Sequence, residues 1–600
     1  GINTSLTAQW ESKGPYAGAM TSLAYDGTKV YAGTMANGVF SSSDDGATWT
    51  SANQGLERTW INDVITNSAG VFAGTDYLGV YLSSDQGNSW IARNNGLTDL
   101  HITQLFSSGG NIFASTPSGV FFSSNNGLSW IPRNNGIPGT YPIYTYAQMG
   151  DTIYGGTYGK SLYMTSNNGQ TWSQVGAGFP SPSSSFFVYS LATSGNTIYA
   201  GTSSGIYLST NRGMSWAHSG NMYMSENYAL ALAVNGNSLY AGTYAYGIHV
   251  SDDNAASFVS SNNGLQWYPG YPTYIQTSEF LGLGSTVLAA TYFGMYRTTN
   301  NGLNWNNANQ GILATDITAI VNNGSAVLAG SNWTGMFSST DKGLTWNRAN
   351  NGLPGNFIRC MAVSGNDIFA SIQNEKVYRT TDNGASWTWK SYGLPADPVS
   401  MEADNDQVLA ITAASKYVPN KLFQTKDKGL SWTEVPSSAI GGGIAAVAIN
   451  DPYFYAGTYN GMLLRSSNEG GSWSDISSYL PGVKITAILP LDTVTYVGTE
   501  GRGIYMFLKN DSYMLPASGG LMHYNITDII EQDNVLFAST FGGGVYASAN
   551  GGITWFMFNG GLENPYVRQL SGEPLKIYAG TDAGVYQTGS TAFSDLMILA

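Results

Sequence analysis

An eight-residue pattern, Ser/Thr-x-Asp/Asn-x-Gly-x-Ser/Thr-Trp, recurs along this 600-residue chain, first at Ser42–Trp49 and then mostly every 40 to 47 residues. A fixed internal period of this length marks a repeat architecture, and it has to be recognised before domains are counted. The chain is therefore an array of one repeated unit, and any function has to be carried on that array.

Each period contains three short segments of β type before the eight-residue box, and a fourth segment begins at its Trp. In the first period the three segments are residues 21–25, 30–34 and 38–41, rich in Val, Tyr and Thr and bounded by Gly, Asn and Asp. No helical periodicity interrupts them. Four short strands per repeat of about 42 residues predict an all-β fold in which each repeat is a propeller blade.

Two markers count the repeats. Twelve boxes are present, and their acidic or amide positions are Asp44, Asp85, Asn125, Asn167, Asn211, Asp253, Asn300, Asp341, Asp382, Asp427, Asn468 and Asn550. The Ala-Gly-Thr motif of the second strand recurs fourteen times, two more than the box. The two repeats without a box are the one around Gly498, which has lost it, and the last one, around Gly580, which reaches the end of the sequence. Fourteen four-stranded blades exceed the usual four to eight of one ring, so two seven-bladed propellers are predicted.

The acidic position of the box is interpreted as structural. Asp and Asn occupy it equally often, so the site needs a hydrogen-bond acceptor rather than a charge, which disfavours calcium binding and acid/base chemistry. The Gly supplies a positive φ and the Trp packs between blades. No metal site and no cofactor are predicted, because the four histidines are dispersed and no phosphate-binding loop is present.

The box resembles the Asp-box, or BNR-type repeat, of sialidases, sortilin-type receptors, photosystem-assembly propellers and xyloglucan-cleaving glycoside hydrolases. The resemblance covers nearly the whole chain and implies a propeller with the box on the hairpin between the third and fourth strands. The Asn-Gly-Leu connectors, such as residues 94–97, also resemble propeller arrays of exported bacterial surface proteins. The resemblance is specific for the fold and says little about function.

The division into two rings rests on Trp10, which looks like a box Trp without its box and hence like a fourth strand without the other three. Joined to the incomplete last repeat, it would close a ring. The preferred division places residues 1–258 with 556–600 in the first propeller and 259–555 in the second. A continuous division into 1–305 and 306–600 and a single fourteen-bladed ring are the alternatives.

The composition of the chain limits the kinds of molecule that it is expected to bind. Only 10% of residues are charged, the net charge is -14, and no run of Lys or Arg could neutralise phosphates, so nucleic acid is not an expected partner. No segment has the length and apolarity of a membrane-spanning helix. A single cysteine excludes an intramolecular disulfide. A secreted or cell-surface location is expected, with a glycan or an extracellular protein as partner, and the oligomeric state is left open.

Candidate binding residues are aromatic side chains in the loops on the propeller face opposite the boxes. Rings beside Asn, Ser and Asp suit a neutral saccharide, and Tyr and Trp are also enriched in protein interfaces. Most of these aromatics concentrate in repeats four to seven. The candidates are Tyr144, Tyr146, Tyr189, Tyr244, Tyr246, Trp267, Tyr271, Tyr292 and Trp333.

No catalytic residues are identified. A glycosidase needs two carboxylates facing each other, and no spacing pairs the acidic residues expected on this face. Four of them, Asp63, Asp99, Asp316 and Asp528, recur near the start of the innermost strand and are interpreted as turn acceptors. The preferred function is a non-enzymatic binding or adhesion scaffold. The alternatives are an endo-acting β-glucan or xyloglucan hydrolase with its cleft between the two propellers, and a structural protein of a surface layer or filament.

Overall fold

The computed structural model describes residues 10–56, 60–138, 142–159, 161–175, 178–179, 186–219, 228–244, 246–265, 275–412, 420–436, 440, 443–508 and 514–589. Within them, fourteen four-stranded antiparallel sheets follow one another along the chain, and we number them as blades 1 to 14. The predicted all-β fold of fourteen four-stranded blades is confirmed. No helix in the described part of the chain is long and apolar enough to cross a membrane.

The first strand of each blade packs against the first strands of its neighbours and so lies nearest the ring axis. In blade order, the first strands are Met20–Tyr25, Ile61–Asn67, Gln104–Ser108, Ile143–Met149, Val188–Ser194, Ala229–Asn235, Thr277–Leu283, Ile317–Asn322, Ile358–Ser364, Pro398–Asp404, Ile444–Asn450, Ile485–Pro490, Ile526–Gln532 and Val567–Glu573.

The second strands carry the Ala-Gly-Thr motif and are almost fully buried. They are Val30–Thr34, Gly70–Thr75, Asn111–Thr116, Thr152–Thr157, Thr197–Thr202, Ser238–Thr243, Thr286–Thr291, Val327–Ser331, Asp367–Ile372, Gln407–Thr412, Tyr453–Thr458, Val494–Thr499, Val535–Thr540 and Lys576–Thr581. The middle residue is Gly, Ala or Ser in every blade except blade 10, where it is Ile411, because the next blade approaches closely. A Cβ added to Gly201 would lie 2.5 Å from the carbonyl oxygen of Ala229.

The third and fourth strands flank the box where a box is present, and the fourth strand is short and mostly exposed except at Trp10 and Met514. The third strands are Val39–Ser42, Val80–Ser83, Gly119–Ser123, Leu162–Thr165, Gly205–Ser209, Ile248–Ser251, Gly294–Thr298, Met336–Ser339, Lys376–Thr380, Leu422–Thr425, Leu463–Ser466, Gly503–Leu508, Gly544–Ser548 and Gly584–Thr588. The fourth strands are Thr50–Ser51, Ile91–Ala92, Ile131–Pro132, Ser173–Gln174, Ala217–His218, Val259–Ser260, Asn306–Asn307, Asn347–Arg348, Thr388–Trp389, Thr433–Glu434, Ser474–Asp475, Met514–Pro516, Phe556–Met557 and, for blade 14, Trp10–Glu11.

The box forms a hydrogen-bonded turn between the third and fourth strands. In blade 1, Asp44 Oδ1 accepts hydrogen bonds from Ser42 Oγ (2.7 Å) and from the Thr48 amide (2.9 Å), and Oδ2 accepts one from Thr48 Oγ1 (2.5 Å). In blade 3, Asn125 Oδ1 accepts the Ser129 amide (3.0 Å) while its Nδ2 donates to Ser129 Oγ (2.9 Å). The hydroxyl before the Trp donates to the carboxylate in blade 1 (Thr48) and accepts from the amide in blade 3 (Ser129), so Asp and Asn both complete the turn.

The box contains two consecutive residues with positive φ, whereas the sequence indicated only the Gly. The residue before the Gly has a φ of 54° at Asp45 and of 62° at Lys342. Two consecutive left-handed residues tighten the turn, and Asn and Asp tolerate that conformation best among residues with a side chain.

A pair of substitutions separates the hydrogen bonds of the box from its charge. We expect Asp44→Ala to lower the melting temperature of the propeller that contains blade 1 by about 2–4 °C, because the amide and hydroxyl of Thr48 lose their acceptor. Asp44→Asn should change it by less than about 1 °C, since Asn occupies the same position in six other boxes. Differential scanning calorimetry at pH 7 measures both. A large loss in Asp44→Asn would show that the negative charge matters.

The chain divides into two compact units, residues 16–314 and residues 315–600 with 1–15. The first ring contains blades 1 to 7. It closes because blade 7 packs against blade 1, where Trp49 Nε1 donates to the carbonyl oxygen of Ala308 (2.9 Å). A short parallel pair, Ala17–Gly18 with Leu313–Ala314, joins the two ends of this unit.

The second ring contains blades 8 to 14. Trp10 pairs with Thr588 and completes blade 14, as the sequence suggested, and its Nε1 donates to the carbonyl oxygen of Phe558 (2.6 Å) in blade 13. Blade 14 then packs against blade 8, where the Ile320 amide donates to Gln569 Oε1 (3.0 Å).

The preferred division, 1–258 with 556–600 and 259–555, is therefore wrong. Blade 14 lies in the same ring as blades 8 to 13, and blade 7 belongs with blades 1 to 6. The alternative boundary at 305/306 lies nearer the observed one but leaves the N-terminal strand with the wrong ring.

Candidate functional site

A β-bulge in the first strand directs side chains toward the axis of the first ring. In blade 4 the pairing with the second strand shifts between Ile143 and Thr145, and in blade 5 between Val188 and Ser190. A bulge leaves one residue unpaired and re-aims its side chain. The unpaired residues here are Tyr144 and Tyr189, so the fold turns both tyrosines away from the interior of the blade.

Seven aromatic side chains of blades 4 to 7 form a continuous surface that we call the tyrosine arc. Its members are Tyr144, Tyr158, Phe187, Tyr189, Tyr228, Tyr244 and Tyr292. Ring centroids are 4.4 Å apart for Tyr144 and Tyr158, 4.4 Å for Tyr158 and Phe187, 6.0 Å for Phe187 and Tyr189, and 5.8 Å for both Tyr189 and Tyr228 and Tyr228 and Tyr244.

The members of the arc are linked through the backbone and through neighbouring phenols, and the arc is partly exposed to solvent. A backbone bridge joins Tyr158 to Phe187 across blades 4 and 5. Burial raises the pKa of Tyr292, and its neighbour Tyr244 raises it further, which places these two phenols close together. Tyr158 is 38% and Tyr244 40% exposed, and the other members are half-buried. The arc can therefore offer both ring faces and hydroxyl groups to a ligand.

A cavity of about 380 Å³ lies along the axis of the first ring, lined by all seven first strands. Tyr144 and Tyr189 belong both to the arc and to the cavity lining, so the two features are continuous. Two carboxylates, Asp63 of blade 2 and Glu279 of blade 7, also line the cavity.

The two carboxylates are anchored by inward-facing amides of the next blade. Asp63 Oδ2 accepts hydrogen bonds from Gln104 Nε2 (2.6 Å) and from the Leu105 amide (2.7 Å), and Glu279 Oε2 accepts one from the Leu23 amide (2.6 Å). Burial raises the pKa of Asp63 to about 7, against the opposing effect of these hydrogen bonds. Burial, together with the charge of Asp63, raises the pKa of Glu279 well above its usual range.

The candidate binding residues lie in the tyrosine arc, in the wall of the cavity, or apart from both. Tyr144, Tyr189, Tyr244 and Tyr292 lie in the tyrosine arc. Tyr146 also lines the cavity, but it is buried and its hydroxyl pairs with Ser115 Oγ at 2.6 Å.

The other candidates lie apart from the arc or outside the described residues. Tyr246 is half-buried in the loop between the second and third strands of blade 6. Trp333 belongs to the second ring, where it packs against Phe357 at 4.9 Å. Trp267 and Tyr271 lie outside the described residues. Binding by any of these side chains stays a prediction.

Sequence reasoning did not single out Tyr158 or Glu279. Tyr158 directly follows the Ala-Gly-Thr-like strand of repeat 4, a position that in other repeats holds Tyr77 or Tyr244 nearby. Glu279 aligns with Asp63 when the first strands are superimposed on their bulges, each being the residue paired with the middle of the second-strand motif. That alignment is the signal that could have paired them.

The interpretation of four acidic residues as turn acceptors holds for one. Asp99 accepts bonds from the His101 amide (3.0 Å) and from Ser118 Oγ (2.7 Å) within a loop. Asp63 and Asp528 instead bridge to the next blade, Asp528 Oδ2 accepting from the Leu570 amide (2.9 Å). Asp316 is ion-paired. These differences arise because neighbouring blades meet along the ring axis, which local sequence does not show.

The ion pair of Asp316 belongs to a cluster in the second ring. Arg568 Nε donates to Asp316 Oδ1 (3.0 Å) and to Asp582 Oδ1 (2.7 Å), and its guanidinium lies 5.6 Å from the centre of the Phe541 ring. Burial raises the pKa of Asp582 to about 6 although Arg568 opposes the shift. One arginine thus bridges both carboxylates, and this arrangement favours a structural role.

No group of three or more His, Cys, Asp and Glu side chains in the described ranges is arranged to hold a metal ion. Two closed rings of seven four-stranded blades, with an aromatic surface beside the axis of one ring, define a double β-propeller.

Comparison with known proteins agrees with that class. Residues 64–300, all within the first ring, match the family described as the DUF6242 beta propeller domain. No curated protein sequence matches the chain.

Three solved structures are similar to this chain over nearly its whole length. The GH74 xyloglucanase from Xanthomonas campestris has a TM-score of 0.75 at 15% identity, covering 97% of this chain and 99% of that chain. A GH74 enzyme of Niastella koreensis has a TM-score of 0.69 at 16% identity, covering 97% and 99%. PorZ, a surface component of the type-IX secretion system of Porphyromonas gingivalis, has a TM-score of 0.62 at 13% identity, covering 97% and 87%. At these identities the likeness establishes the fold alone.

Proposed function

We propose that this protein is a secreted or cell-surface binding protein that holds a glycan on the tyrosine arc of its first ring without chemical conversion. The observation that carries the proposal is the arc itself, in which six aromatic rings of blades 4 to 6 are in contact, Tyr292 of blade 7 lies near Tyr244, and the whole is continuous with an axial cavity. Sugar rings present apolar C–H faces that pack on aromatic rings, while their hydroxyls bond to phenols and amides.

The chemistry around the arc agrees with binding. The cavity has the volume of an ordinary small-ligand site and is lined by Thr, Ser, Asn and Gln side chains beside the aromatic ones. Its two carboxylates are each anchored to a backbone amide, and their main visible role is to join blades. The location outside the cell is supported by the low charge and hydroxyl-rich composition.

Removing aromatic side chains from the arc tests the proposal. We expect Tyr189→Ala and Tyr244→Ala each to weaken binding of a cello-oligosaccharide or xyloglucan fragment by about tenfold, because each removes one stacking surface. Isothermal titration calorimetry measures the affinity. Tyr392→Ala, at a 71% exposed tyrosine of the second ring, is the matched control and should bind as the parent protein does.

The same preparation distinguishes the alternatives. Release of reducing sugar from β-glucan or xyloglucan would overturn the non-enzymatic proposal in favour of an endo-acting hydrolase. Absence of binding to every glycan, combined with concentration-dependent assembly in light scattering, would favour a structural protein of a layer or filament.

A further inference from the structure

The axial cavity of the first ring has an electrostatic character that the proposed function does not use. Its lining residues include Asp63 and Glu279 but no Lys, Arg or His. Each carboxylate is anchored through a single oxygen, Oδ2 of Asp63 and Oε2 of Glu279, and the donors are uncharged amides. No cationic side chain of the lining thus balances the two acidic groups.

Unpartnered hydroxyl groups lie in the same lining. Ser22 is 2% exposed, and its Oγ has no hydrogen-bond partner in the structure. The hydroxyl oxygens of Thr21 and Ser278 are likewise buried without a partner, and all three residues line the cavity. Ser22 Oγ and Thr21 Oγ1 lie 2.6 and 2.8 Å from the position that a Cβ on Gly33 would take, so these hydroxyls belong to the wall behind the cavity surface and bring no positive charge to it.

The tyrosine arc adds a third element. The negative face of an aromatic ring attracts cations, and several rings around one point form the cages that bind ammonium groups. The phenols of Tyr144 and Tyr189 border the cavity that holds the carboxylates. Aromatic faces and carboxylates together are complementary to an ammonium group, which is a cation with several hydrogen-bond donors.

We infer that the axial cavity of the first ring binds the ammonium group of an unacetylated amino sugar while the neighbouring sugar rings stack on the tyrosine arc. The inference rests on the proposed function and deepens it, because it names the class of glycan. A sugar rather than a peptide is assigned because the arc supplies a row of stacking surfaces continuous with the acidic cavity. The raised pKa values of Asp63 and Glu279 agree with two acidic groups that lack a compensating cation.

Three trisaccharides with the same β-1,4 backbone test the inference, since they differ only at C2. We expect the trimer of glucosamine to bind at pH 7 at least about tenfold more tightly than the trimers of N-acetylglucosamine and of glucose. Isothermal titration calorimetry on the full chain measures the three affinities. Asp63→Asn and Glu279→Gln should each abolish the preference for the amine while leaving the affinity for the glucose trimer within about twofold.

A matched control is available in the second ring. Asp528 bridges to the next blade through the Leu570 amide as Asp63 does through Leu105, so Asp528→Asn alters the same kind of contact away from the cavity. It should retain the full preference for the glucosamine trimer. Loss of the preference in Asp528→Asn would overturn the assignment to the first-ring cavity.

The remaining outcomes separate the inference from the function on which it rests. Equal affinities for the three trisaccharides would overturn the inference and leave glycan binding intact. Absence of binding to all three would overturn both. Tighter binding of a trilysine peptide than of the glucosamine trimer would overturn the assignment to an amino sugar in favour of a basic peptide.

Discussion

Trp10→Ala should destabilise the second ring by about 3–5 kcal/mol and leave the first ring unchanged. Trp10 is 3% exposed, packs edge-on against Phe558 with ring centroids 5.8 Å apart, and belongs to the core shared by blades 13 and 14. Its removal leaves a cavity at the one blade assembled from both ends of the described chain. Hydrogen exchange read by mass spectrometry should show faster exchange in blades 13 and 14, and no change in blades 1 to 7.

The corresponding change in the first ring provides the comparison. Trp49→Ala removes the indole that joins blade 1 to blade 7 and should accelerate exchange there while sparing blades 8 to 14. Trp389→Ala, at a tryptophan 51% exposed on the outer strand of blade 9, should affect neither ring. If Trp10→Ala and Trp49→Ala loosened the same blades, the division of the chain at residues 15/16 and 314/315 would be contradicted.

Asp63→Asn should stabilise the first ring at pH 9 by about 2–4 kcal/mol and change its stability little at pH 4. The pKa of this carboxyl is about 3.9 in an unfolded chain and rises to about 7 in the folded one. The folded state therefore holds the proton more firmly, and this stabilisation is complete below about pH 4 and is lost as the pH rises to about 7. Asparagine cannot ionise, so the substituted protein avoids the loss.

Thermal unfolding followed by calorimetry between pH 4 and pH 9 measures this difference. Asp44→Asn is the control, because folding shifts the pKa of Asp44 downward whereas it shifts the pKa of Asp63 upward. Slight burial acts to raise the pKa of Asp44, but hydrogen bonds from Thr48 and Ser42 hold it below its usual value. Because folding lowers its pKa, Asp44 adds its stabilisation as the pH rises toward about 4, so between about pH 5 and pH 9 the parent protein and Asp44→Asn should differ by a small and constant amount. A parallel pH profile for the two variants would refute the assignment of a raised pKa to Asp63.

Much of the fold could be predicted because the blade is a local unit. The box of Asp44 and the Ala-Gly-Thr of the second strand recur at a fixed spacing, and Trp10 carries enough of that pattern to be identified as a displaced fourth strand. The division into rings could not be obtained in the same way. Blade 1 could close a ring either with blade 7 or with blade 14. The choice depends on contacts between residues some 250 positions apart, such as Trp49 with Ala308.

The candidate site shows the same limit. The concentration of tyrosines in repeats four to seven was visible in the sequence, but Tyr144 and Tyr189 were expected in loops and instead lie at the bulges of the first strands. Glu279 was overlooked because the equivalent positions hold Ser22 and Ala231 in other blades, so no periodic charge signals it. Its proximity to Asp63 comes from ring closure, which brings blades 7 and 2 to either side of blade 1.

Completion of blade 14 by Trp10 has a consequence for how the protein is made. The first ring is a continuous stretch of chain and can fold as soon as residue 314 has been synthesised. The strand at Trp10 and Glu11 has to wait for Gly584–Thr588, some 570 residues later, which at about 5–20 residues per second is a delay of roughly half a minute to two minutes. Once residue 314 has been synthesised, the growing chain carries a finished first propeller while the strand at Trp10 and Glu11 is still unpaired, and the second ring closes only when Gly584–Thr588 captures that strand.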